Sequence, residues 1–255
     1  MIYATYPDLP GKRVVITGGG SGIGAALVEA FVQQGSEVIF LDIQDQPAQA
    51  LAERLAGAAR APRYMRCDLT DLEALAAAFA HIEREYGAVD ILVNNAANDD
   101  RHQVTEVTPQ YWEKNLAVNL RHLFFCSKAV VPGMRANGGG VILNFGSISW
   151  HLALDMLPLY MTAKAGIEGM TRGLARDLGS CGIRVNAIVP GAVRTPRQME
   201  MWQTPESEAA ILAAQCLPQR VEPEDVAALT LFLASSNAAR CSGREYFVDA
   251  GWYGS

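Results

Sequence analysis

The chain has 255 residues, 50% hydrophobic and 19% charged, which suits a single domain, residues 1–255, around one sizeable core. Its 21 basic and 27 acidic residues leave a net charge of −6, a balance that speaks against nucleic acid or an anionic membrane as a partner. No apolar run approaches the roughly 20 residues of a bilayer span, and the opening MIYATYPDLPGKR has no apolar leader segment. Cys67, Cys126, Cys181, Cys216 and Cys241 are scattered without a CxxC pair, and His81, His102, His122 and His151 show no ligand spacing. A cytoplasmic protein with reduced thiols and no essential metal is expected.

In chain order, RVVIT is the first expected strand, followed by a glycine-rich turn and a helix closed by Gly35. EVIFLD and RYMRCD are the next strands. TDLEALAAAFAHIEREYG is an expected helix, with Thr70 and Glu73 at capping-box spacing and Gly87 as its stop. DILVNNA, GVILNFGS, IRVNAIVPG and EYFVDAG complete seven strands. Helical patterns lie around Leu116 to Met134 and over YMTAKAGIEGMTRGLARDLG. Continuous apolar strands alternating with helices predict an α/β, doubly wound, mostly parallel sheet with helices on both faces, a single-domain Rossmann fold. PGAVRTPRQMEMWQTPESEA, with three prolines, is expected to be a long irregular segment and a substrate lid around 190–215, because it follows a strand's carboxyl end.

VVITGGGSGIGAALVEAFVQQG places its glycines between a strand and a helix, where a pyrophosphate meets free amides and the positive end of the helix dipole. EVIFLD ends in Asp42, 18 residues after Gly24, a position suited to accept hydrogen bonds from adenosine ribose hydroxyls. The alternative for Asp42 alone is a carboxylate that merely ends a strand. Taken with the glycine turn, it favours NAD; the same carboxylate repels a 2′-phosphate, and Gly19, Gly20 and Ile43 supply no cation to bind one.

The spacing Gly18-x-x-x-Gly22-x-Gly24 resembles that of the short-chain dehydrogenases/reductases. The resemblance spans nearly the whole chain: TGGGSGIG, Asp42, CDL, NNAA, Asn119, Ser147, YMTAK, and Pro190 with Gly191 occur in the family's order. It implies that Gly18, Ser21, Gly22, Ile23, Gly24, Asp42, Pro190, Gly191, Val193 and Thr195 line the cofactor. It also implies that Asp68 holds the adenine amino group beside Leu69, and that Asn95 and Ala96 pass near the nicotinamide ribose. Ala97 departs from the glycine many members carry there.

The resemblance further implies that Asn119, Ser147, Tyr160 and Lys164 form a catalytic tetrad. Tyr160 and Lys164 are four residues apart and share a helix face. A phenol of pKa about 10 needs lowering by roughly 2 to 3 units to act as a base near neutral pH. An ammonium about 4 to 5 Å away supplies an effect of that order at an effective dielectric near 20, so Lys164 is expected to lower Tyr160. In the family the lysine also binds nicotinamide-ribose hydroxyls, the asparagine holds a proton-relaying water, and the serine bonds the substrate oxygen. Read without the resemblance, Ser147 is a turn hydroxyl and Asn119 a helix-capping amide.

NAANDDRH, FGSISWH, AAQCL and DAGW make the chain similar to the NAD-dependent aldose 1-dehydrogenases of that family. This implies a sugar substrate, an aldopentose of the D-xylose or L-arabinose type, whose anomeric hydroxyl is oxidised to an aldonolactone. Asn98, Asp99, Arg101, His102, Ser149, Trp150 and His151 are polar groups after two strand ends, where a polyol needs partners; Trp150 suits a sugar face. For Arg101, His102 and His151 the alternative is a place outside the substrate. Other short-chain activities, on another sugar or a nonsugar alcohol or ketone, use the same tetrad. A noncatalytic NAD sensor usually has a broken tetrad, and an extended-type epimerase needs a larger C-terminal domain than this chain has room for. Gly166, Gly169 and Gly173 along one helix, with relatives that pair through it, imply a homotetramer; packing on its own sheet is the alternative use of those glycines.

Overall fold

The computed structural model describes residues 2–202 and 204–254. The strands are β1 Arg13–Thr17, β2 Glu37–Asp42, β3 Arg63–Arg66, β4 Ile91–Asn94, β5 Gly140–Phe145, β6 Ile183–Pro190 and β7 Glu245–Val248. The helices are α1 Gly22–Gln33, α2 Asp45–Arg54, α3 Leu72–Tyr86, α4 Pro109–Leu116, α5 His122–Ala136, α6 Pro158–Leu178, α7 Pro196–Trp202, α8 Pro205–Ala214 and α9 Pro223–Ala234. All seven strands pair in the order β3-β2-β1-β4-β5-β6-β7. Every pairing is parallel, so the expectation of a mostly parallel sheet is met without an antiparallel member.

Alternation along the strands sorts the core into two layers. Val14 and Ile16 point with Phe40, Val93 and Leu143 toward Leu27 and Phe31 of α1 and Val226 and Leu231 of α9. Val15, between them, joins Ile39, Leu41, Leu92 and Ile142 under Leu75, Phe79 and Ile82 of α3 and Val130 and Met134 of α5. Successive strand side chains face opposite ways, which is why both faces carry a helix layer and the strands read as unbroken apolar runs. After β3 the chain returns to the other side of β1, so β1 and β4 are neighbours with Thr17 opposite Asn94. A crevice opens outside the carboxyl ends of strands at such a reversal.

Two local expectations are corrected. Helix α3 is capped by Asp71, whose Oδ1 accepts from the amides of Glu73 at 2.9 Å and Ala74 at 3.1 Å. Thr70 instead turns back, donating its amide and its hydroxyl to Asp68 Oδ1 at 2.9 and 2.7 Å; an aspartate one residue nearer the helix competes better for the same orphan amides. The segment after β6 is helical, not irregular. Pro196 and Pro205 sit where helices α7 and α8 start, a position that tolerates proline because its amide has no intrahelical partner. The five cysteines are free thiols, and no helix of the described residues is long and apolar enough to cross a membrane.

Candidate active site

The glycine turn is held by contacts that leave no room for a Cβ. One built on Gly24 would lie 1.8 Å from the Gly18 carbonyl oxygen, and one on Gly18, at φ +64°, would lie 2.7 Å from Ala96 Cα. Asn95 on the adjoining strand end donates its side-chain amide to the carbonyls of Gly18 at 2.8 Å and Thr17 at 3.1 Å. The buried Asp42 closes the other side, accepting from the amides of Gly20 at 2.8 Å and Gln44 at 2.9 Å. Ser21 precedes α1 without making a side-chain cap, and the first turn carries no acidic residue; its amides and dipole are left facing the crevice with Ile23 and Gly22. Such a backbone-lined cradle with a carboxylate at its edge fits a nicotinamide dinucleotide, because only glycines let a pyrophosphate approach the amides. Asp68 spends one carboxylate oxygen on Thr70, and Leu69 is buried beside it.

Across the crevice, β6 ends at Pro190, whose carbonyl accepts from the amide of Ile148 at 3.1 Å. Gly191 passes so close to Asp249 that a Cβ would fall 2.7 Å from its Cα. Val193 forms a bridge to Val221, and Thr195 approaches Gly22, its Cγ2 lying 3.3 Å from where a Cβ on that glycine would be. The segment after β6 therefore starts beside the cradle.

Tyr160 and Lys164 stand one turn apart on α6, which supplies the expected shared face. The Lys164 ammonium nitrogen lies 5.3 Å from the Tyr160 ring centre and donates to the Phe145 carbonyl at 2.8 Å. Ser147, just past β5, acts on the Tyr160 phenol in the direction that favours its ionised form, and accepts from the amide of Ser149 at 3.2 Å. The electrostatic expectation needs correction. Burial, helped by the charge of Asp99, raises the Tyr160 phenol above its ordinary value. Burial also lowers Lys164 to about 7, with Asp99 acting in the opposite direction. Desolvation disfavours the charged form of each group, and here it outweighs the lowering of Tyr160 expected from Lys164 alone.

Asn119 lies in a π-helical stretch, Ala117–Arg121, between α4 and α5; such widened turns recur at functional sites. Its side chain is fully buried and clasps one residue of the β4–α4 loop from both sides, accepting from the Asn98 amide at 2.8 Å and donating to the Asn98 carbonyl at 3.0 Å. It caps no helix. His122, three residues on, was not singled out for this site by sequence. Its Nε2 meets the Ala96 carbonyl at 3.1 Å, and burial lowers its pKa to about 4.

The polar residues after the two strand ends divide. Ser149 is buried beside Ser147 with no partner for its hydroxyl among the described residues; Trp202 Nε1 and the side-chain amide of Gln215 are likewise buried and unpartnered. Trp150 and His151, expected at the sugar, have given their polar atoms to the buried Glu168 of α6, at 2.8 and 3.0 Å. His151 also packs on Phe247 and Tyr253. Arg101 lies over the Trp202 ring at 4.3 Å. His102 is buried, with Nε2 3.4 Å from the Leu159 amide and Nδ1 at 3.1 Å from the Tyr111 hydroxyl, so it braces the start of α6. Beneath the site, Asn94 and Asn144 face each other in register and link onward to Thr171. Their signal in sequence is an amide near the carboxyl end of each of two otherwise apolar strands.

A family model described as enoyl-(acyl carrier protein) reductase matches residues 18–253. D-xylose 1-dehydrogenase of Caulobacter vibrioides is 62% identical over 252 residues, which are 99% of this chain and 100% of that protein. A probable galactose dehydrogenase of Rhizobium meliloti is 47% identical, with 96% of each chain covered. Among solved structures, a putative gluconate dehydrogenase from Agrobacterium tumefaciens superposes with a TM-score of 0.94 at 26% identity, over 99% of this chain and 100% of that one. L-sorbose reductase from Gluconobacter frateurii, complexed with NADPH and L-sorbose, has a TM-score of 0.90 at 27% identity, over 97% of this chain and 98% of that one.

Proposed function

Because the chain belongs to the short-chain dehydrogenase/reductase family, we propose that it oxidises the anomeric hydroxyl of an aldopentose, D-xylose foremost, to the aldonolactone with NAD. The observation that carries this reading is the end-to-end similarity to D-xylose 1-dehydrogenase at 62% identity. The buried, unpartnered hydroxyl of Ser149, next to Ser147, supports a ligand that can hydrogen-bond there, since such a group is costly without a partner. NAD is preferred over NADP because Asp42 lies beside Gly20, where a 2′-phosphate would meet its charge.

In this reading Ser147 and Tyr160 hold the C1 hydroxyl oxygen, and Tyr160 takes its proton. The bound nicotinamide supplies the acceptor for the hydride that leaves the same carbon, so the C1–O bond becomes a carbonyl. Lys164 and Tyr160 are coupled: one proton lost from the pair leaves either two neutral groups or a phenolate beside an ammonium, and the apparent pKa belongs to both. With Lys164 lowered to about 7, the base-competent pair is present above roughly neutral pH and lost below it. Asn119 fixes the Asn98 backbone and thereby the loop that borders the substrate.

The test is NADH formation with NAD and a panel of aldopentoses and aldohexoses, L-arabinose included, with NADP in parallel. Selective turnover of D-xylose with NAD is expected. Silence across the panel redirects the reading to a nonsugar alcohol, and equal use of NADP removes the Asp42 argument. The same reading places the enzyme in a reducing cytoplasm, consistent with its free thiols, as a homotetramer. A Cβ on Gly169 or Gly173 of α6 would meet nothing within 4 Å, whereas one on Gly166 would meet Leu120, so two of the three glycines leave an open face for a second copy. Light scattering at the mass of four chains is the expected result.

A further inference from the structure

The loop after β4 and the lid helix α7 are tied together at one carboxylate. Asp99 Oδ1 lies 3.2 Å from Arg197 Nε, and its Oδ2 accepts from the Gln198 side-chain amide at 2.6 Å. Arg197 reaches Asp100 Oδ1 at 2.6 Å and Asn98 Oδ1 at 3.4 Å with its other nitrogen. A turn further along the same helix, Trp202 receives the Arg101 guanidinium. Successive loop residues thus meet one face of α7. On its other side the loop is fixed, because Asn119 clasps both backbone groups of Asn98. Force or charge applied at the lid therefore passes through Asp99 to the residue that Asn119 holds.

The clasped Asp99 carboxylate also acts on the site behind the loop, favouring the protonated forms of Tyr160 and Lys164, while His102 turns away to Leu159 and Tyr111.

We propose that Asp99 is a positioning residue: clasped by Arg197 and Gln198, it latches α7 against the β4–α4 loop that Asn119 holds. The latch does not depend on which substrate the enzyme oxidises.

The experiment compares wild type, Asp99→Asn, Arg197→Met and the double variant, with Arg197→Lys as a rescue that keeps charge without the two-pronged fork. Hydrogen exchange of the α7 amides, read without substrate, reports the latch independently of what the enzyme oxidises. Each single variant is expected to speed that exchange by about tenfold, the double variant by no more than either single, with Arg197→Lys between. With D-xylose as substrate, each single variant is expected to raise KM by about fivefold while kcat stays within about twofold, with Arg197→Lys between. Unchanged α7 exchange in both single variants, or additive effects in the double, overturns the latch. A silent sugar panel with faster α7 exchange in the single variants leaves the latch supported and the sugar reading refuted.

Discussion

The two halves of the active site are built in different ways. The cofactor side, from β1 through the end of β4, presents backbone: glycines that admit no Cβ, free amides at the start of α1, and Asn95 and Asp42 holding the turn in shape. The proposed substrate side presents side chains carried by a loop, a π-helical turn and helix α7, joined to one another by hydrogen bonds among polar groups. Backbone recognition suits a ligand that every family member shares, since it demands only that nothing protrude. Side-chain recognition suits a ligand that varies between relatives, since exchanging side chains leaves the sheet intact.

The sharpest way to separate the halves is Tyr160→Phe. Turnover is expected to fall by about 10²- to 10⁴-fold, the usual span for a general base, while dinucleotide affinity measured by fluorescence titration stays within about twofold. Near-normal turnover would remove Tyr160 from its role, and a lost dinucleotide would show that the halves are not independent.

Gly24→Ala probes the other side. Its Cβ would lie 1.8 Å from the Gly18 oxygen, so the turn must move, at a cost of about 1–3 kcal/mol in denaturant unfolding and with loss of dinucleotide binding. Unaltered affinity would mean that the turn has slack the close approach denies.

His122 sits between the halves, against the Ala96 carbonyl. Its folded pKa is depressed from 6.5 to about 4, first by burial. The unfolded chain therefore takes a proton below pH 6.5 that the folded chain refuses until about pH 4, and stability falls as pH drops through that window. The loss attributable to this one group is about 3 kcal/mol. His122→Gln is expected to flatten the curve of unfolding free energy against pH between 6.5 and 4; a curve unchanged in slope would show that the imidazole is not held neutral.

The smallest effect is expected at Trp150→Phe. The indole is committed to Glu168 Oε1 at 2.8 Å, an oxygen that His151 Nε2 also meets at 3.0 Å, so the variant should lose about 1–2 kcal/mol of stability from one hydrogen bond to the buried carboxylate and change KM for sugar by less than about twofold. A tenfold rise in KM with stability intact would return Trp150 to the sugar.

Much of the cofactor side was legible because its determinants are local. TGGGSGIG and Asp42 each report on a turn within a few residues, and strand periodicity places them at the correct ends of β1 and β2. Tyr160 and Lys164 were legible for the same reason, four residues apart on one helix. Their electrostatics were not, because pKa direction depended on burial, which no pair spacing reports. His122 and His102 looked alike as lone histidines, yet one supports the loop at Ala96 and the other the amide of Leu159.

By itself, then, the sequence determined seven strands of a mostly parallel sheet, the glycine cradle, the acidic residue beside it and the tyrosine–lysine face, all written in short-range pattern. Only the tertiary structure decided that the segment after β6 is helical where prolines suggested irregularity, that Trp150 and His151 belong to Glu168, and that Arg197 and Gln198 hold Asp99. The partners of the α7 contacts lie 97 to 99 residues apart. A side chain with several possible acceptors reveals which one it uses only when folding has brought that acceptor within about 3 Å.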